Sequence, residues 1–363
     1  MSRSLAILID SLDGGGAERS VLTIAGALQA RGVDVELFVL SERVGYDDLP
    51  SVPVHVVPNA GEHLSIPFDQ SAATLRDCVA EVEQRRGAPF DLFFANLPQS
   101  WELAVEAGLE PTYHFIRNSF NAELRNELRR SPRRYLRLRR RLAKLSGRNL
   151  IAISDGLRHD VESSRFLRPA SLRRIYNPFP IERIRALARE SVDGLPDEPY
   201  VIHVGRGSRQ KRQDILFRAF RRVPEPYRLV CLSRNSKRLR VLAKRYGISD
   251  RVITPGFQQN PHAWVANARL SVLSSDYEGL SRVVIESLIC GTPVVSTRCP
   301  HGPEEILGEE LAHWLVPPRR PDLLGAKIAE ALETEIDLSR WWMLKEIDSN
   351  TVADQLLSLF DKP

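Results

Sequence analysis

Short apolar runs alternate along the chain with longer stretches of helical period, the pattern of a parallel sheet wrapped by helices. The first half predicts strands at residues 5–9, 33–40, 54–57, 92–95, 112–116 and 150–153, and a helix at 17–31 that Gly32 is placed to end. The second half predicts strands at 200–204, 229–232, 252–254, 270–273 and 294–296, with helices at 213–221, 236–246 and 282–290. Residues 322–360 are predicted to be mostly helical.

A less apolar passage rich in Asp, Pro and Gly interrupts this alternation at residues 189–199. We interpret it as a linker, because a chain of 363 residues is long enough for about two domains. The sequence therefore predicts an α/β fold with two Rossmann-like, doubly wound parallel-sheet domains, residues 1–188 and 200–340, facing a central cleft. A helical tail at 341–363 is expected to pack back towards the N-terminal domain.

Composition excludes several classes of protein. Hydrophobic residues make up 43% and charged residues 27% of the chain, which excludes a disordered protein, a collagen and a disulfide scaffold. No apolar run approaches the roughly 18 residues of a membrane-spanning helix, and the N-terminus has the pattern of a buried strand rather than of a signal peptide. The four cysteines form no C-x-x-C pair, so we interpret them as reduced core thiols of a cytosolic protein. The net charge of +5 is a modest bias towards anionic partners.

Candidate binding residues follow the strands, because ligands of such sheets bind beyond the carboxyl ends, where helix N-termini present unpaired N–H groups to anions. After the first strand, three glycines at 14–16 let the backbone approach a ligand closely. A dinucleotide fingerprint would need another glycine where Arg19 stands, and no P-loop lysine follows. A ligand-binding loop and a plain tight turn both fit this segment.

A cationic segment follows the predicted strand 200–204. Gly205 and Arg206 come directly after that strand, and Lys211 lies where the next helix is expected to begin. An arginine grips two phosphate oxygens in a fork, and a lysine contributes a mobile point charge. The segment therefore indicates an anion site, although a solvated basic loop is the commoner reason for such a run.

The sharpest signal is a pair of glutamates, Glu278 and Glu286. Glu278 follows a predicted buried strand, and Glu286 lies among apolar residues of the next helix, ahead of a Gly-Thr-Pro-Val-Val run. A desolvated carboxylate needs hydrogen-bond donors, and as a pure acceptor it matches the paired hydroxyls of a ribose or a hexose. The alternative is that Glu286 reaches solvent from the side of an amphipathic helix.

The E-x7-E spacing of these two residues resembles the donor-site signature of retaining glycosyltransferases with the two-domain GT-B architecture, above all their large fourth family, of the group 1 type. Further segments occur in the order of that family and span nearly the whole chain. They are Gly14-Gly-Gly-Ala-Glu18, Ser154-Asp-Gly, Tyr176-Asn-Pro178, Gly205-Arg206 with Lys211, Gly291-Thr-Pro-Val-Val and Cys299-Pro-His-Gly-Pro-Glu-Glu-Ile306.

The resemblance implies catalytic roles for three residues. Arg206 and Lys211 would hold the donor diphosphate and neutralise it as it leaves. Glu278, with the backbone of Gly279 and Leu280, would hold the donor sugar and the diphosphate. Preorganised cations and helix N-termini stabilise the charge that develops when a sugar–phosphate bond breaks.

The resemblance implies further donor-side residues. Glu286 would accept hydrogen bonds from the ribose hydroxyls, and Gly205 belongs to the same donor-binding set. Gly15 and Gly16 would face the phosphate and the acceptor from the N-terminal domain. Residues 1–188 would thus form the acceptor-binding domain, and residues 200–340 the nucleotide-sugar-binding domain.

The family's chemistry implies transfer with retention of anomeric configuration, by front-face attack in which the donor phosphate takes the acceptor's proton. It implies no metal ion, in agreement with the lack of a convincing Asp-x-Asp motif, and no cofactor besides the nucleotide sugar as co-substrate. The resemblance also favours a UDP sugar, because the Cys-Pro-x-Gly-Pro form of the 299–303 segment is common among relatives that use UDP sugars.

The chain departs from the family pattern in two places. Many relatives carry a His-Asn pair after a late strand of the N-terminal domain, where this chain has His114, Arg117 and Asn118, which are therefore the acceptor-side candidates. Relatives also carry a glycine-rich turn beside the nucleotide, where this chain reads Val-Cys-Leu-Ser-Arg-Asn at 230–235. That loop gives no indication of the base.

A strongly basic stretch extends over residues 123–148, with leucines at helical spacing that would pack on the domain. A basic amphipathic helix is attracted to anionic lipid head groups, whereas a packed helix with a solvated charged face has the same pattern. Nucleic acid is not favoured as a partner, because no aromatic interleaving or known binding module accompanies the arginines. We therefore expect a cytoplasmic protein that is peripheral on the inner face of the cytoplasmic membrane.

The function expected from these observations is transfer of a hexose or N-acetylhexosamine from a nucleotide sugar to a glycan or lipid-linked acceptor, in bacterial surface polysaccharide or lipopolysaccharide synthesis. Two alternatives stay open. One is a nucleotide-sugar epimerase or hydrolase of the same fold, and the other is a non-enzymatic protein that binds anionic polymers.

Overall fold

The computed structural model describes residues 3–41, 51–57 and 68–361. The chain forms two compact units: unit 1 comprises Met1–Phe179 with Lys345–Pro363, and unit 2 comprises Pro180–Leu344. Each unit has one parallel sheet. The predicted α/β class with two doubly wound parallel sheets is therefore confirmed, whereas a cleft between the domains stays a prediction.

The sheet of unit 1 has seven described strands in the order β3-β2-β1-β4-β5-β6-β7. Their bounds are Ser4–Ile9 (β1), Asp34–Val39 (β2), Val54–Val56 (β3), Leu92–Ala95 (β4), Thr112–Ile116 (β5), Asn149–Ala152 (β6) and Ser171–Arg174 (β7). The helices between them are Gly16–Gln29 (α1), Phe68–Arg86 (α2), Pro98–Ala107 (α3), Phe120–Arg130 (α4), Pro132–Ala143 (α5) and Asp155–Glu162 (α6).

The sheet of unit 2 has six strands in the order β10-β9-β8-β11-β12-β13. Their bounds are Tyr200–Val204 (β8), Arg228–Leu232 (β9), Val252–Gly256 (β10), Leu270–Leu273 (β11), Val294–Thr297 (β12) and Leu315–Val316 (β13). The helices are Ile181–Ala188 (α7), Gln213–Phe220 (α8), Ser236–Arg245 (α9), Pro261–Ala266 (α10), Arg282–Ile289 (α11), Pro303–Leu307 (α12) and Pro321–Glu333 (α13), with 3-10 turns at Ser249–Arg251 and Ala312–Trp314.

The central strands are apolar because both faces of each sheet are covered. All six residues of β1 are buried, and β1 pairs in parallel with β2 on one side and β4 on the other. Strands buried on both faces appear in a sequence as continuous apolar runs, which is why most of the predicted strands are found. The half-buried edge strand β7, with its two arginines, was not predicted.

The boundary between the units lies ahead of the predicted linker. Residues 189–199 have no helix or strand, but Val192 and Leu195 pack against the core of unit 2. The chain passes from one unit to the other between Phe179 and Pro180, so α7 belongs to unit 2. The polar composition of residues 189–199 did not indicate that these two apolar side chains attach the segment to that core.

The C-terminal segment returns to unit 1 through Leu344–Ile347 (α14) and Ser349–Leu357 (α15). The backbone N–H of Phe179 donates to the carbonyl of Ile347 at 2.8 Å, and Arg31 of the α1 end forms an ion pair with Asp354 of α15. The tail is less continuously helical than predicted, because residues 334–343 between α13 and α14 have no helix.

The basic stretch forms two helices rather than one. Ser131 adopts an extended conformation between α4 and α5, and Pro132 is the first residue of α5. Proline disfavours the helical conformation in the residue before it, which explains the break. Within the described part of the chain, no helix combines the length and the apolar character needed to cross a membrane.

Each sheet has one position at which the connections that follow two neighbouring strands run in opposite directions, towards opposite edges of the sheet. In unit 1 it lies between β1 and β4, and in unit 2 between β8 and β11. Ligands of open α/β sheets bind at such topological switch points, outside the carboxyl ends of the strands. The segments that follow β8 and β11 therefore come together at the most favourable position for a site in unit 2.

Candidate active site

Lys211 and Glu278 meet at the switch point of unit 2. The Lys211 Nζ lies 2.8 Å from Glu278 Oε1, and both side chains are largely buried. The Ser275 hydroxyl donates to the same carboxylate oxygen. A desolvated ion pair is stable only where further hydrogen bonds satisfy the two charges, and the serine supplies one of them.

Hydrogen bonds to backbone carbonyls join the two segments that carry this pair. The Gln210 side chain donates to the carbonyl of Tyr277 at 2.8 Å, and the N–H of Asp276 donates to the carbonyl of Gln210 at 2.9 Å. The Ser274 hydroxyl donates to the carbonyl of Lys211 at 2.7 Å. The separation of Lys211 from Glu278 is thus set by the backbone and not only by their charges.

The Asp276 carboxylate lies between two arginines. Arg319 donates to it from Nε and Nη2 at 2.9 and 2.8 Å, and Arg212 donates from Nη1 at 3.2 and 3.3 Å. Arg212 and Arg319 have φ values of 48° and 62°, a left-handed conformation that is unfavourable for residues other than glycine. Such strain persists only where its surroundings over-determine it, and the shared carboxylate is part of those surroundings.

A buried histidine supports the backbone of the Arg206 segment. His203 Nδ1 lies 3.0 Å from the carbonyl of Val272, and the Gln213 side-chain nitrogen lies 3.4 Å from His203 Nε2 and donates to the carbonyl of Arg206 at 2.8 Å. Burial lowers the pKa of His203 to about 4, so the ring is neutral and accepts at Nε2. A Cβ on Gly205 would lie 3.3 Å from that nitrogen, which favours glycine there.

The Arg206 side chain is exposed. Its guanidinium forms no ion pair or hydrogen bond with any residue in the described ranges. Lys211 is therefore held by Glu278, whereas Arg206 is available to an incoming anion.

Glu286 lies on α11 beside a residue that the sequence analysis did not single out. Arg282 donates to Glu286 Oε1 from Nε and Nη2 at 3.2 and 3.0 Å. Neither side chain is exposed, with 9% and 14% accessible area, so Glu286 does not simply reach solvent. The i,i+4 spacing of the pair is a sequence signal that could have found Arg282.

The segment around Gly302 fixes the backbone of Gly279 and Leu280. Gly302 has a φ of 86°, and a Cβ there would lie 3.3 Å from the Gly279 carbonyl, from Leu280 Cα and from the N–H of Ser281. The Glu278 N–H donates to the carbonyl of Pro300 at 3.1 Å. The Cys-Pro-x-Gly-Pro motif thus supports the loop that precedes α11.

In unit 1 the glycine loop leads into α1. Gly14 has a φ of 87°, Gly15 is the N-cap residue and Gly16 is the first residue of the helix. The Glu18 carboxylate occupies the space that a Cβ on Gly15 would need. Because that carboxylate is the end of a flexible side chain, this contact alone does not require glycine at 15, and the role of Gly15 and Gly16 towards a phosphate stays a prediction.

The three acceptor-side candidates occupy different positions. His114 lies inside β5, paired with Ala95 and Leu150 of the neighbouring strands, and is 1% exposed. Arg117 and Asn118 follow the end of that strand, and of these only Asn118 is exposed. The placement of His114 is that of a packing residue.

Arg117 joins the carboxyl ends of several strands. Its Nη1 donates to Asn177 Oδ1 at 2.7 Å and its Nη2 to Asn96 Oδ1 at 2.5 Å. Asn96 follows β4, and Asn177 belongs to the Tyr-Asn-Pro motif that follows β7. One structural role of that motif is therefore to hold a buried guanidinium.

Two family models match the chain, one in each half. The model of Glycosyltransferase Family 4 matches residues 14–183, and the model of Glycosyl transferases group 1 matches residues 187–342. Together they account for nearly the whole chain. The chain belongs to the family 4, group 1 glycosyltransferases.

Curated relatives of this glycosyltransferase include a bacterial enzyme of lipid-linked glycan synthesis. The N-acetylgalactosamine-N,N'-diacetylbacillosaminyl-diphospho-undecaprenol 4-alpha-N-acetylgalactosaminyltransferase of Campylobacter jejuni is 26% identical over 328 residues, which are 85% of this chain and 84% of that protein. The lipopolysaccharide core biosynthesis glycosyltransferase LpsE of Rhizobium meliloti is 37% identical over 124 residues, 34% of this chain and 36% of that protein.

Solved structures show the GT-B fold. Sucrose-phosphate synthase from Thermosynechococcus elongatus superposes with a TM-score of 0.81 at 20% identity, covering 99% of this chain and 98% of that one. Anabaena HepE in complex with UDP-glucose superposes with a TM-score of 0.79 at 21% identity, covering 99% and 100%. At these identities the likeness is one of fold.

We expect His114 to lower the free energy of unfolding of this glycosyltransferase as the pH falls below about 6.5. Burial lowers the pKa of His114 to about 3 in the folded state, whereas the unfolded chain takes up the proton near the ordinary 6.5. The unfolded state then binds more protons, so His114 costs about 1.4 kcal/mol of unfolding free energy per pH unit. In urea unfolding measured between about pH 7 and 5, the pH slope of H114F should differ from that of the wild type by this amount, while the buried His203 keeps its own contribution.

The matched control is the exposed His159, whose replacement in H159Q should leave the slope as in the wild type. An equal slope in H114F and the wild type would show that His114 is not the neutral, buried group described above.

Proposed function

We propose that this chain is a retaining, metal-independent glycosyltransferase that moves a hexose or N-acetylhexosamine from a nucleotide sugar, in the first place a UDP sugar, to a glycan or lipid-linked acceptor. The pathway is the synthesis of bacterial surface polysaccharide or lipopolysaccharide. The observation that carries the proposal is the Lys211–Glu278 pair at the switch point of unit 2, beside the exposed, unpaired Arg206.

The arrangement suits a leaving diphosphate. As the sugar–phosphate bond breaks, negative charge develops on the diphosphate, and Arg206 and Lys211 are the cations placed to stabilise it. Glu278 orients the Lys211 ammonium before the donor arrives and accepts from the donor sugar's hydroxyls, while the phosphate takes the acceptor's proton. The proposal thus assigns to two side chains the charge stabilisation that a metal ion supplies in other transferases.

The named relatives support the substrate classes. The printed name of the Campylobacter jejuni relative gives a diphospho-undecaprenol acceptor, and the Salmonella typhimurium relative, 27% identical over 51% of this chain, is a lipopolysaccharide 1,6-galactosyltransferase. HepE was solved with UDP and glucose and with UDP-glucose. We therefore propose a uridine nucleotide and a lipid-linked or glycan acceptor, without a role for nucleic acid.

A peripheral membrane contact through α4 and α5 is the second part of the proposal. Leu128 and Leu136 are 53% and 44% exposed, and α5 carries exposed arginines that form no ion pair with any described residue. These are Arg133, Arg134, Arg137 and Arg140. Exposed leucines among guanidinium groups fit the boundary between lipid head groups and acyl chains, and a cytoplasmic, peripheral location follows from that contact.

E278Q should abolish sugar transfer, because the neutral amide no longer orients the Lys211 ammonium at the diphosphate. We expect the turnover number to fall about a hundredfold or more, measured with the donor that best protects the protein thermally in a screen of UDP, GDP and ADP sugars. Hydrolysis or epimerisation of the donor without an acceptor would favour the alternative enzyme class. Full turnover in E278Q would refute the site.

E286A should weaken nucleotide binding, because the carboxylate is proposed to accept from the ribose hydroxyls. A charge-assisted hydrogen bond is worth about 1.5–3 kcal/mol, so calorimetry should give a dissociation constant about ten- to a hundredfold higher. The control is E309A, which removes an exposed acid elsewhere in unit 2. Equal affinity in E286A and E309A would contradict the assignment.

R133Q/R134Q/R137Q/R140Q should release the protein from phosphatidylglycerol vesicles in co-sedimentation. Each basic residue near an anionic surface is worth about 1 kcal/mol, so the partition coefficient should fall about a hundredfold or more. Arg139 is left intact because it stacks on Phe166, 5.7 Å from the ring centroid.

A matched variant removes the same charge from other exposed positions of unit 1: R85Q/R158Q/R165Q/R168Q. It should keep nearly all of the vesicle binding. Equal losses in the two variants would mean that net charge alone, and not the α5 surface, attracts the protein to lipid.

A further inference from the structure

A basic pocket of unit 2 lies outside the donor motif. It is an open concavity of about 600 Å³, and its wall is formed by the end of α8 and the start of α13. Five of the residues that line it are arginines and one is an acid: Arg218, Arg221, Arg222, Arg319, Arg320 and Asp322.

Two of the five guanidiniums are already neutralised. Arg320 binds Asp322 through Nε and Nη2 at 3.1 and 2.7 Å, and this bond lowers the pKa of the Asp322 carboxyl to about 2. Arg319 is held by Asp276, as described above. Both pairs are bidentate, which is the strongest arrangement for arginine and carboxylate.

The other three arginines have no counter-charge. Arg218, Arg221 and Arg222 are exposed, and none forms an ion pair or a hydrogen bond with a residue in the ranges that the structure describes. Arg221 and Arg222 lie three and four positions after Arg218, the spacing that places helical side chains on one face. Three like charges are thus gathered at one wall of a concave site, where they repel each other unless an anion joins them.

The chemistry of the pocket selects the class of anion. Guanidinium forks match the oxygens of phosphate, and a volume of this size suits a small ligand rather than a polymer. Of the described residues that line it, none is aromatic, so the wall offers no stacking surface for a base. We propose that the pocket is a second anion site, which binds a small multivalent oxyanion of the phosphate type through Arg218, Arg221 and Arg222.

The test is calorimetric titration of pyrophosphate into the full chain saturated with UDP, which occupies the proposed donor site. We expect one pyrophosphate per chain, with a dissociation constant that rises at least about tenfold in R218Q/R221Q/R222Q, equivalent to about 1.4 kcal/mol. The control R240Q/K244Q/R245Q removes the same charge from exposed positions of α9 and should bind as the wild type does. Equal affinity in all three proteins, or equal losses in the two variants, would overturn the site.

The pocket does not rest on the proposed function. If UDP fails to bind, the donor assignment fails, and the same comparison in an R206Q/K211Q background still decides for or against the pocket. Vesicles containing phosphatidic acid distinguish the source of the phosphate. Recruitment lost only in R218Q/R221Q/R222Q assigns the site to a lipid head group, and unchanged recruitment with lost pyrophosphate binding assigns it to a soluble anion.

Discussion

An ammonium and a carboxylate with little access to water, Lys211 and Glu278, are the interaction on which the rest of unit 2 depends. Removing two charges from water costs several kcal/mol for each, and their mutual attraction offsets this only at close range. At 2.8 Å, with a serine hydroxyl on the same oxygen, the pair is satisfied without ligand. In the proposed function, a diphosphate that enters beside this pair would meet a cation whose position is already fixed, so little reorganisation would accompany the development of charge.

That position is also maintained by charged residues around the Asp276 carboxylate. Asp276 gathers Arg212 and Arg319 around one carboxylate, and both arginines adopt a left-handed backbone that costs about 1–2 kcal/mol per residue. Because Arg212 directly follows Lys211, the strained turn also fixes the position of the Lys211 backbone. The backbone of Arg206 is held in a similar way, by the neutral His203 and by Gln213.

The sequence could predict the two parallel sheets and the family. Continuous apolar runs marked the strands, and the E-x7-E spacing led to the family. It could not predict that Asp276 binds Arg319, since contacts between residues far apart in the chain leave no local periodicity. The separate helices α4 and α5 were foreseeable from Pro132 alone, whereas the unit boundary at Phe179 was not, because the burial of Val192 and Leu195 depends on tertiary packing.

Some family motifs in this chain carry side chains of the proposed site, and others hold neighbouring side chains or backbone segments in place. Ser154 caps α6 by accepting from the N–H of Leu157 at 3.2 Å, and Asn177 binds a buried guanidinium. Gly302 leaves room for the backbone before α11. Each of these contacts gives its residue a structural reason that does not involve a sugar.

The arginines also fall into two groups, those with partners and those without. What each arginine can do depends on its hydrogen-bond and ion-pair partners rather than on how many arginines the chain has. Arg117, Arg212, Arg282 and Arg319 are occupied by carboxylates or amides, and removing any of them would take a donor away from its acceptor group. Other arginines are instead exposed and have no counter-charge in the described parts of the chain. They are Arg206, the outward arginines of α5 and the arginines at the end of α8. A net charge of +5 is too small to attract anions to the whole surface. In the proposals above, unpaired guanidiniums gathered at a few places would do so locally, because their attraction falls off within about 10 Å at moderate salt.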